Sequence, residues 1–285
     1  MSVDTIRLLI SCPDARGIIS NVTGFVAEHG GNILDADQHS DKEHDEFFMR
    51  VEIEQTGFGL NRDTFEPAWK KVADRFAMRW QIHWGRDIKR MAVFVSKSGH
   101  CLNDLLWRWK TGELRVEIPF VLGNHDALRE VVEALGLPFH HLSITSETKA
   151  EQEEQAVRLL EESRINFVVL ARYMQILSPS FVARYPNRII NIHHSFLPAF
   201  AGAKPYHQAY HRGVKIIGAT SHYVTDVLDE GPIIAQETMA VDHRDTVDDL
   251  VRKGRDLERV VLARAVRHHV EDKILTSQNK TVVFE

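Results

Sequence analysis

The sequence contains few cysteines, no long apolar segment and no excess of positive charge, and each absence excludes a class of protein. Cys12 and Cys101 are its only cysteines, which is too few for a disulfide-stabilised secreted fold. No apolar run approaches the roughly 20 residues that span a bilayer, and the first ten residues do not resemble a signal peptide. The net charge of -5 argues against nucleic acid as the main partner, because phosphate binding needs a basic surface. We therefore expect a cytoplasmic protein that binds neither nucleic acid nor a membrane.

The first 84 residues have the pattern of a small α+β domain. Apolar residues alternate with period two in the strand-like segments and recur at helical spacing between them. Gly30-Gly31 is expected to end the first helix. The predicted order is βαββαβ, a ferredoxin-like arrangement. Strands are predicted over Thr5–Ser11, Asn32–His39, Glu46–Glu54 and Met78–Trp84, and helices over Ile18–Glu28 and Phe65–Phe76.

The polar link Gly85-Arg86-Asp87 marks the predicted domain boundary, giving domains over residues 1–85 and 86–285. After it, near-continuous apolar runs alternate with helical patterns. Such runs are typical of strands buried on both faces of a parallel sheet. The second domain is therefore predicted to be a doubly wound, mainly parallel α/β fold. Its predicted strands are Met91–Val95, Val116–Leu122, Phe167–Leu170, Ile189–Ile192, Ile216–Val224 and Ile233–Met239, and its helices Leu102–Lys110, Ala127–Leu135, Ala150–Glu162 and one within Thr246–Asp272.

Polar side chains follow the buried strand that begins at Ile189. Asn191 and His193 are two residues apart, so on an extended backbone both point to the same side. Ligands of open α/β sheets bind at the carboxyl ends of strands, and an amide beside an imidazole is a plausible pair of oxyanion stabilisers. Asn191 is equally compatible with a strand-end cap.

A second polar segment follows the strand that ends near Tyr223. Asp229 precedes Gly231-Pro232, so a tight turn could hold its carboxylate where it orients an imidazole or activates water. An ordinary turn aspartate has the same appearance. Taken alone, these features indicate only an acyl-transfer or hydrolytic site.

Together the motifs resemble those of folate-dependent formyltransferases, over Met91 to about Glu271. Across the whole chain the sequence is similar to the formyltetrahydrofolate deformylase family. The segments that carry this resemblance are Ser11-Cys12-Pro13-Asp14, Gly123-Asn124-His125-Asp126, Asn191 to Phe200, Lys204-Pro205-Tyr206-His207-Gln208-Ala209-Tyr210 and Asp229-Glu230-Gly231-Pro232.

The resemblance implies hydrolysis of 10-formyltetrahydrofolate to formate and tetrahydrofolate, which would supply formate for purine biosynthesis and balance one-carbon pools. It implies that Asn191 and His193 stabilise the oxyanion, while Asp229 orients His193 and activates water, without a metal or other cofactor. It also implies a folate pocket. The pocket residues would be Met174, Gln175, Ile176, Leu177, His207, Val224, Thr225 and Asp226.

Two other functions remain open at this stage. One is formyl transfer to a small amine. The related glycinamide ribonucleotide transformylases hold a phosphate with a glycine-rich loop, whereas the corresponding Ser98–Asp104 segment keeps one glycine and places Asp104 near the proposed phosphate, which is electrostatically costly. The other is a non-catalytic folate or amino-acid sensor, which the intact set of Asn191, His193 and Asp229 disfavours.

The 16 histidines raise the question of a metal site. His207 and His211 have the i, i+4 spacing of two ligands on one helix face, but no third ligand with matching spacing is apparent. We therefore predict no metal, with His207 lining the active site and His211 in solvent. The role of His194 is open, and His140-His141 and His268-His269 are expected at the surface.

The N-terminal unit resembles an ACT domain, a module that commonly binds small amino acids. The matching residues are Asp14, Gly17, Asn32 and Ile33. The resemblance implies an amino-acid effector such as glycine or methionine and a homo-oligomer, either a dimer or a tetramer. A dimerisation domain without a ligand is the alternative.

Overall fold

The structure is a computed structural model that describes residues 4–199 and 205–285. The described residues form two compact units. The first consists of residues up to 88 with 271–277 and 282–285, and the second of 89–270 with 278–281. This grouping differs from the predicted domains in the C-terminal segments, which join the first unit. The reason is packing, because Leu275 and Phe284 are buried against Leu9 and Phe48.

The first unit has the predicted βαββαβ order. Asn61 begins the second helix earlier than predicted, because its side chain accepts hydrogen bonds from the backbone N–H groups of Asp63 and Thr64. The strands form one antiparallel sheet in the order β2-β3-β1-β4. Its elements are β1 (Thr5–Pro13), α1 (Ile18–Glu28), β2 (Ile33–Asp41), β3 (Glu46–Glu54), α2 (Arg62–Arg75) and β4 (Arg79–Trp84).

Both faces of the part of this sheet formed by β1 and β3 are covered. Side chains of β1 such as Leu8 and Ile10 pack under the two helices, whereas Leu9 faces the C-terminal segments. Arg50 of β3 is 2% exposed. Its guanidinium donates to the backbone oxygen of Asp272 and to the carboxylates of Asp35 and Glu52, which satisfies the buried charge.

The second unit begins with alternating strands and helices and ends with an antiparallel pair of strands and a long helix. Its elements are β5 (Lys89–Val95), α3 (His100–Lys110), β6 (Val116–Glu117), β7 (Val121–Gly123), α4 (Arg129–Glu133), β8 (Phe139–His141), α5 (Lys149–Glu162), β9 (Phe167–Leu170), α6 (Pro179–Val182), β10 (Ile189–His193), α7 (Pro205–Arg212), β11 (Ile216–Tyr223), β12 (Ile233–Ala240) and α8 (Val247–Val270). A hairpin of β13 (Ile274–Ser277) and β14 (Lys280–Val283) follows.

The main sheet of this unit has the order β12-β11-β10-β9-β5-β7-β8, with β6 beside β5. The pairs from β10 to β8 are parallel, and β11 and β12 add antiparallel strands at one edge. The predicted fold class is therefore confirmed. Because the parallel strands share a direction, the segments after β5, β9 and β10 leave the sheet at one edge.

Two predicted elements of this unit differ from the structure. The run Val116–Leu122 forms two short strands, β6 and β7, because Pro119 lies between them and has no N–H for a ladder hydrogen bond. The predicted helix Ala127–Leu135 is a 3₁₀ turn over Asp126–Leu128 followed by the short α4. Strands β8, β13 and β14 were not predicted. No helix in residues 4–199 or 205–285 has the length and apolar character needed to span a membrane.

Candidate active site

One cleft of about 630 Å³ lies at the carboxyl ends of β9 and β10 and beside α8. The structure brings together in its walls every residue predicted for catalysis or folate binding. These are Met174, Gln175, Ile176, Leu177, Asn191, His193, His207, Val224, Thr225, Asp226 and Asp229. Of the motif residues, Phe200 and Lys204 lie outside the described part of the chain.

Asn191 and His193 alternate along β10 as predicted, and Asp229 meets them from the loop after β11. The Nδ1 atom of His193 lies 3.2 Å from Oδ1 of Asp229, so the ring donates a hydrogen bond to the carboxylate. His193 is 6% exposed, and the Nε2 atom of its ring is buried without a hydrogen-bond partner among the described residues. The nitrogen that does not face Asp229 therefore remains available to a ligand.

The turn that carries Asp229 is fixed by its backbone. Asp229 has a φ of 58°, a left-handed conformation that aspartate tolerates better than most residues. A Cβ atom at Gly231 would lie 1.7 Å from the carbonyl oxygen of Tyr223, so only glycine allows this close approach. The hydrogen bond from His193 holds the pKa of Asp229 below its ordinary value despite partial burial. The carboxylate is therefore ionised beside the imidazole.

His222 is a fourth polar residue of this group, and the sequence reasoning did not identify it. It lies opposite Asn191 in the β10–β11 register. Its Nδ1 atom lies 2.9 Å from the carbonyl oxygen of Tyr223 and its Nε2 atom 3.2 Å from Nδ2 of Asn191. Burial lowers the pKa of His222. A neutral ring that donates from Nδ1 must accept at Nε2, so it fixes the orientation of the Asn191 amide.

The loops on one side of the cleft expose apolar side chains. Met174, Ile176, Val227 and Leu228 are each at least half exposed although they line the cleft. The backbone N–H of Met174 donates to the hydroxyl of Ser96 over 2.9 Å, which anchors the first loop. Two facing apolar loops form a slot suited to a flat heteroaromatic ring. Val227 and Leu228 belong to the predicted second loop, which runs from Val224 to Asp229.

The opposite side of the cleft contains a buried carboxylate. Glu258 of α8 is 1% exposed. Its Oε1 accepts a hydrogen bond of 2.7 Å from the hydroxyl of Tyr206, and its Oε2 lies 2.8 Å from Nε2 of His100 and 3.4 Å from Nε of Arg172. Burial works to raise the pKa of Glu258, but these donors and the charge of Arg172 hold it below its ordinary value.

The position of Asp104 differs from the prediction, which placed its charge near the phosphate site of the related transformylases. The Asp104 carboxylate accepts a hydrogen bond of 2.7 Å from Nε of Arg108, one turn along α3, and it does not line the cleft. Its charge is therefore balanced locally. The acidic group beside the loop after β5 is Glu258, which α8 contributes from far along the sequence.

Two groups of described residues have ligand atoms close enough to hold a metal, and neither contains His207 or His211. They are His100, Cys101 and Glu258, and Asp41, Glu43 and His44. In the first, Glu258 is already hydrogen-bonded to His100 and Tyr206, and burial raises the pKa of the Cys101 thiol. Metal binding there would require breaking these contacts and deprotonating a buried thiol.

The remaining histidines only partly follow the prediction. His211 is exposed on α7 as expected, and His194 lines the cleft. The expectation of surface positions is wrong for His268, which is 6% exposed. His269 is also integrated into the fold, since its Nδ1 lies 2.8 Å from the hydroxyl of Tyr223. Both lie in the last turn of α8.

The predicted effector residues lie in the first unit, at the end of β1, the start of α1 and the start of β2. Gly17 precedes α1 with a φ of 92°, and Ile33 begins β2. The backbone N–H of Asp14 donates to Asp45. The side chain of Asn32 is exposed and donates to Glu54 over 3.1 Å.

Comparisons with known proteins agree with this architecture. A family model described as "Formyl transferase" matches residues 89–266, and one described as "ACT domain" matches residues 6–57. The chain is 54% identical over 280 residues to a formyltetrahydrofolate deformylase of Synechocystis sp., covering 98% of each protein. It is 52% identical over 279 residues to the enzyme of that name from Bacillus subtilis, covering 98% of this chain and 93% of the relative.

A solved structure has the same fold throughout. The crystal structure of a formyltetrahydrofolate deformylase from Pseudomonas syringae pv. tomato matches with a TM-score of 0.98 at 47% sequence identity, covering 100% of this chain and 96% of that one. Identity at this level over nearly the whole of each chain settles the family. The chain belongs to the formyltetrahydrofolate deformylases, which are hydrolases.

Proposed function

We propose that this protein hydrolyses 10-formyltetrahydrofolate to formate and tetrahydrofolate in the cleft at the end of β10. The observation that carries the proposal is the hydrogen-bonded pair of His193 and Asp229 beside Asn191. An imidazole held by a carboxylate, next to an amide donor, is suited to stabilising the oxyanion of acyl chemistry. Family membership supports the same reaction.

The proposed mechanism uses three side chains of the chain itself. Water attacks the formyl carbon on N10 of the folate, and the carbonyl oxygen becomes an oxyanion. Asn191 donates from its amide and His193 from its buried Nε2, while Asp229 accepts from Nδ1 and keeps the ring oriented. Asp229 also assists proton removal from the water. The tetrahedral intermediate collapses as N10 gains a proton and leaves, and no metal or other cofactor takes part.

We place the pterin ring between the loop of residues 174–177 and the loop of residues 224–228. These loops carry the exposed apolar side chains of the cleft, Met174, Ile176, Val227 and Leu228. Burying them against a flat ring removes apolar surface from water, at about 25 cal/mol per Å². We expect backbone groups of the same loops to bond the polar edge of the ring.

Formate release from 10-formyltetrahydrofolate without any added acceptor is the direct test of this function. We expect stoichiometric formate and tetrahydrofolate, and the same rate after dialysis against a chelator. Formylation of glycinamide ribonucleotide or another amine at a rate comparable with hydrolysis would instead establish a transferase. Binding of folate with no formate release would favour the sensor function.

We further propose that the first unit binds a small amino acid such as glycine or methionine. The N–H groups at the start of α1 follow Gly17 and suit a carboxylate, and the exposed amide of Asn32, just before β2, suits an ammonium or carboxylate group. The ACT domain match supports this class of ligand.

We also propose that the protein is a homo-oligomer, through the edge strand β2. This strand pairs only with β3 among the described strands, and residues 34–40 are exposed on both faces. A nine-residue strand with an unpaired edge is a natural surface for pairing with a second copy.

By releasing formate, the enzyme would help to balance one-carbon pools.

A further inference from the structure

His194 follows the end of β10 and lines the cleft next to His193, but the mechanism above gives it no role. The two imidazole rings have centroids 5.3 Å apart. No described residue forms a hydrogen bond with either ring nitrogen of His194. Burial, together with the charge of Arg172, lowers the pKa of His194 to about 4. At neutral pH the ring is therefore uncharged and keeps a lone pair on one nitrogen.

The orientation of His194 is set by Tyr206, whose ring meets the imidazole edge-on with centroids 6.0 Å apart. Tyr206 is itself held at two points. Its hydroxyl donates to Glu258, and its ring lies directly over Gly254, where a Cβ atom would be 2.0 Å from Cζ. Tyr206 is thus a positioning residue, because its fixed ring packs against the imidazole of His194.

Most of the other polar groups around the cleft near His194 already have hydrogen-bond partners. Both oxygens of Glu258 have donors, and Nδ2 of Asn191 has a partner in His222. Oδ1 of Asp229 faces His193. An attacking water needs an acceptor that fixes its direction, and the lone pair of His194 is an uncommitted acceptor beside the proposed oxyanion donors.

We propose that His194 is a further catalytic residue that holds the attacking water for hydrolysis. This inference rests on the proposed function. One O–H of the water donates to the imidazole while a lone pair of the water oxygen forms the bond to the formyl carbon, and the C=O π electrons move to the oxygen. The proton that leaves the water passes through His194, assisted by the negative charge of Asp229, to N10 as the C–N bond breaks and N10 keeps its electron pair. Water and the formyl amide thus give formic acid and a secondary amine, with no further reactant.

His194→Ala in the full-length protein tests the proposal. We expect kcat for formate release to fall about a hundredfold, the lower range for loss of a positioned acid or base, while the Kd of tetrahydrofolate and KM stay within about threefold. Added imidazole should restore part of the lost rate. His194→Gln, whose amide oxygen can accept from water, should lose less than His194→Ala. The exposed His211→Ala is the matched histidine control and should keep its normal rate.

Several results would overturn the assignment. A kcat within threefold of the parent would show that His194 only fills space, and a rise in KM that accounts for the whole loss would make it a substrate contact. If His194→Ala failed to bind tetrahydrofolate, His194→Gln and His194→Leu would replace it in the test, because their side chains are closer in volume to histidine. Leucine has no acceptor for a water, so an unchanged kcat in His194→Leu would contradict the water-holding role. Failure of the parent protein to release formate would refute the proposed function instead.

Discussion

Nδ1 of His193 lies 3.2 Å from Oδ1 of Asp229, and this pair joins the end of β10 to the turn after β11. The turn can deliver the carboxylate there because Asp229 adopts a left-handed backbone and Gly231 packs against the carbonyl of Tyr223. The hydrogen bond lowers the pKa of Asp229. The backbone of the turn therefore brings the carboxylate to the imidazole, and the hydrogen bond formed there keeps the carboxylate ionised.

Replacing Asp229 with asparagine tests the importance of this charge. The amide has nearly the same shape but cannot stabilise a positive imidazole, so turnover should fall at least a hundredfold while tetrahydrofolate still binds. Steady-state formate release and calorimetric binding are the measurements. Asn191→Ala should lose a comparable factor through the missing oxyanion donor. Near-normal turnover in either variant would remove that residue from the mechanism.

His222 should affect catalysis through the orientation of Asn191. His222→Phe keeps a buried ring but removes the acceptor for the Asn191 amide, whose contact is 3.2 Å long. One hydrogen bond contributes about 1 kcal/mol, so kcat should fall by about a factor of five to ten with little change in KM. If His222→Phe and Asn191→Ala lower kcat independently, so that the double variant shows the product of both effects, the two residues do not act together.

Apolar periodicity in the sequence was sufficient to predict both folds, because it is a local feature, whereas the catalytic trio and the folate-pocket residues were predicted from the resemblance to folate-dependent formyltransferases. Asn191 and His193 were found through their spacing on one strand. Glu258 and His222 were missed because their roles depend on tertiary register. Tyr206 reaches Glu258 because its ring packs over Gly254 of α8. His222 lies opposite Asn191 because of the antiparallel register of β10 and β11, which the sequence alone does not specify. The C-terminal segments joined the first unit through long-range contacts of Leu275 and Phe284.

The amino-acid effector predicted for the first unit is testable in the full-length enzyme. Glycine or methionine should change the rate of formate release, provided that the ligand binds active and less active arrangements with different affinity. Asn32→Ala should blunt this response without changing the basal rate. Glu66→Ala, at an exposed position of α2, is the control and should respond normally. An enzyme indifferent to both amino acids, with no binding by calorimetry, would leave the unit without this role.

The pH dependence of stability should contain a contribution from His194. Its pKa is about 4 in the folded protein, against about 6.5 when unfolded, so the unfolded chain binds more protons between these values. Stability is therefore lost as the pH falls from 6.5 to 4, by at most roughly 3 kcal/mol. The groups that set this pKa are Arg172, Glu258, His193 and Asp229.

His194→Asn should show a flatter decline over that interval in urea unfolding of the second unit. Asp229, whose pKa is lowered below 3.8, loses its stabilising contribution only at more acid pH, so the two effects are separable. Equal slopes for the parent and the variant between pH 6.5 and 4 would show that the ring of His194 is freely solvated.

Gly254 tests the packing that holds Tyr206 against α8. Alanine normally stabilises a helix interior by about 0.5–1 kcal/mol over glycine, but here its Cβ would lie 2.0 Å from Cζ and 2.2 Å from the hydroxyl oxygen of Tyr206. Such overpacking costs about 1–3 kcal/mol, and the displaced hydroxyl would also leave Glu258 without one donor. Gly254→Ala should therefore lower both the unfolding free energy of the second unit and the rate of formate release.

Gly24→Ala is the matched control, because Gly24 lies within α1 and no described atom is within 4 Å of its added Cβ. This variant should raise the stability of the first unit by about 0.5–1 kcal/mol and leave formate release unchanged. Thermal unfolding and steady-state rates of the two variants give the comparison. If Gly254→Ala stabilised its unit as Gly24→Ala does, the ring of Tyr206 could not lie over α8, and its contacts with Glu258 and His194 would need another arrangement.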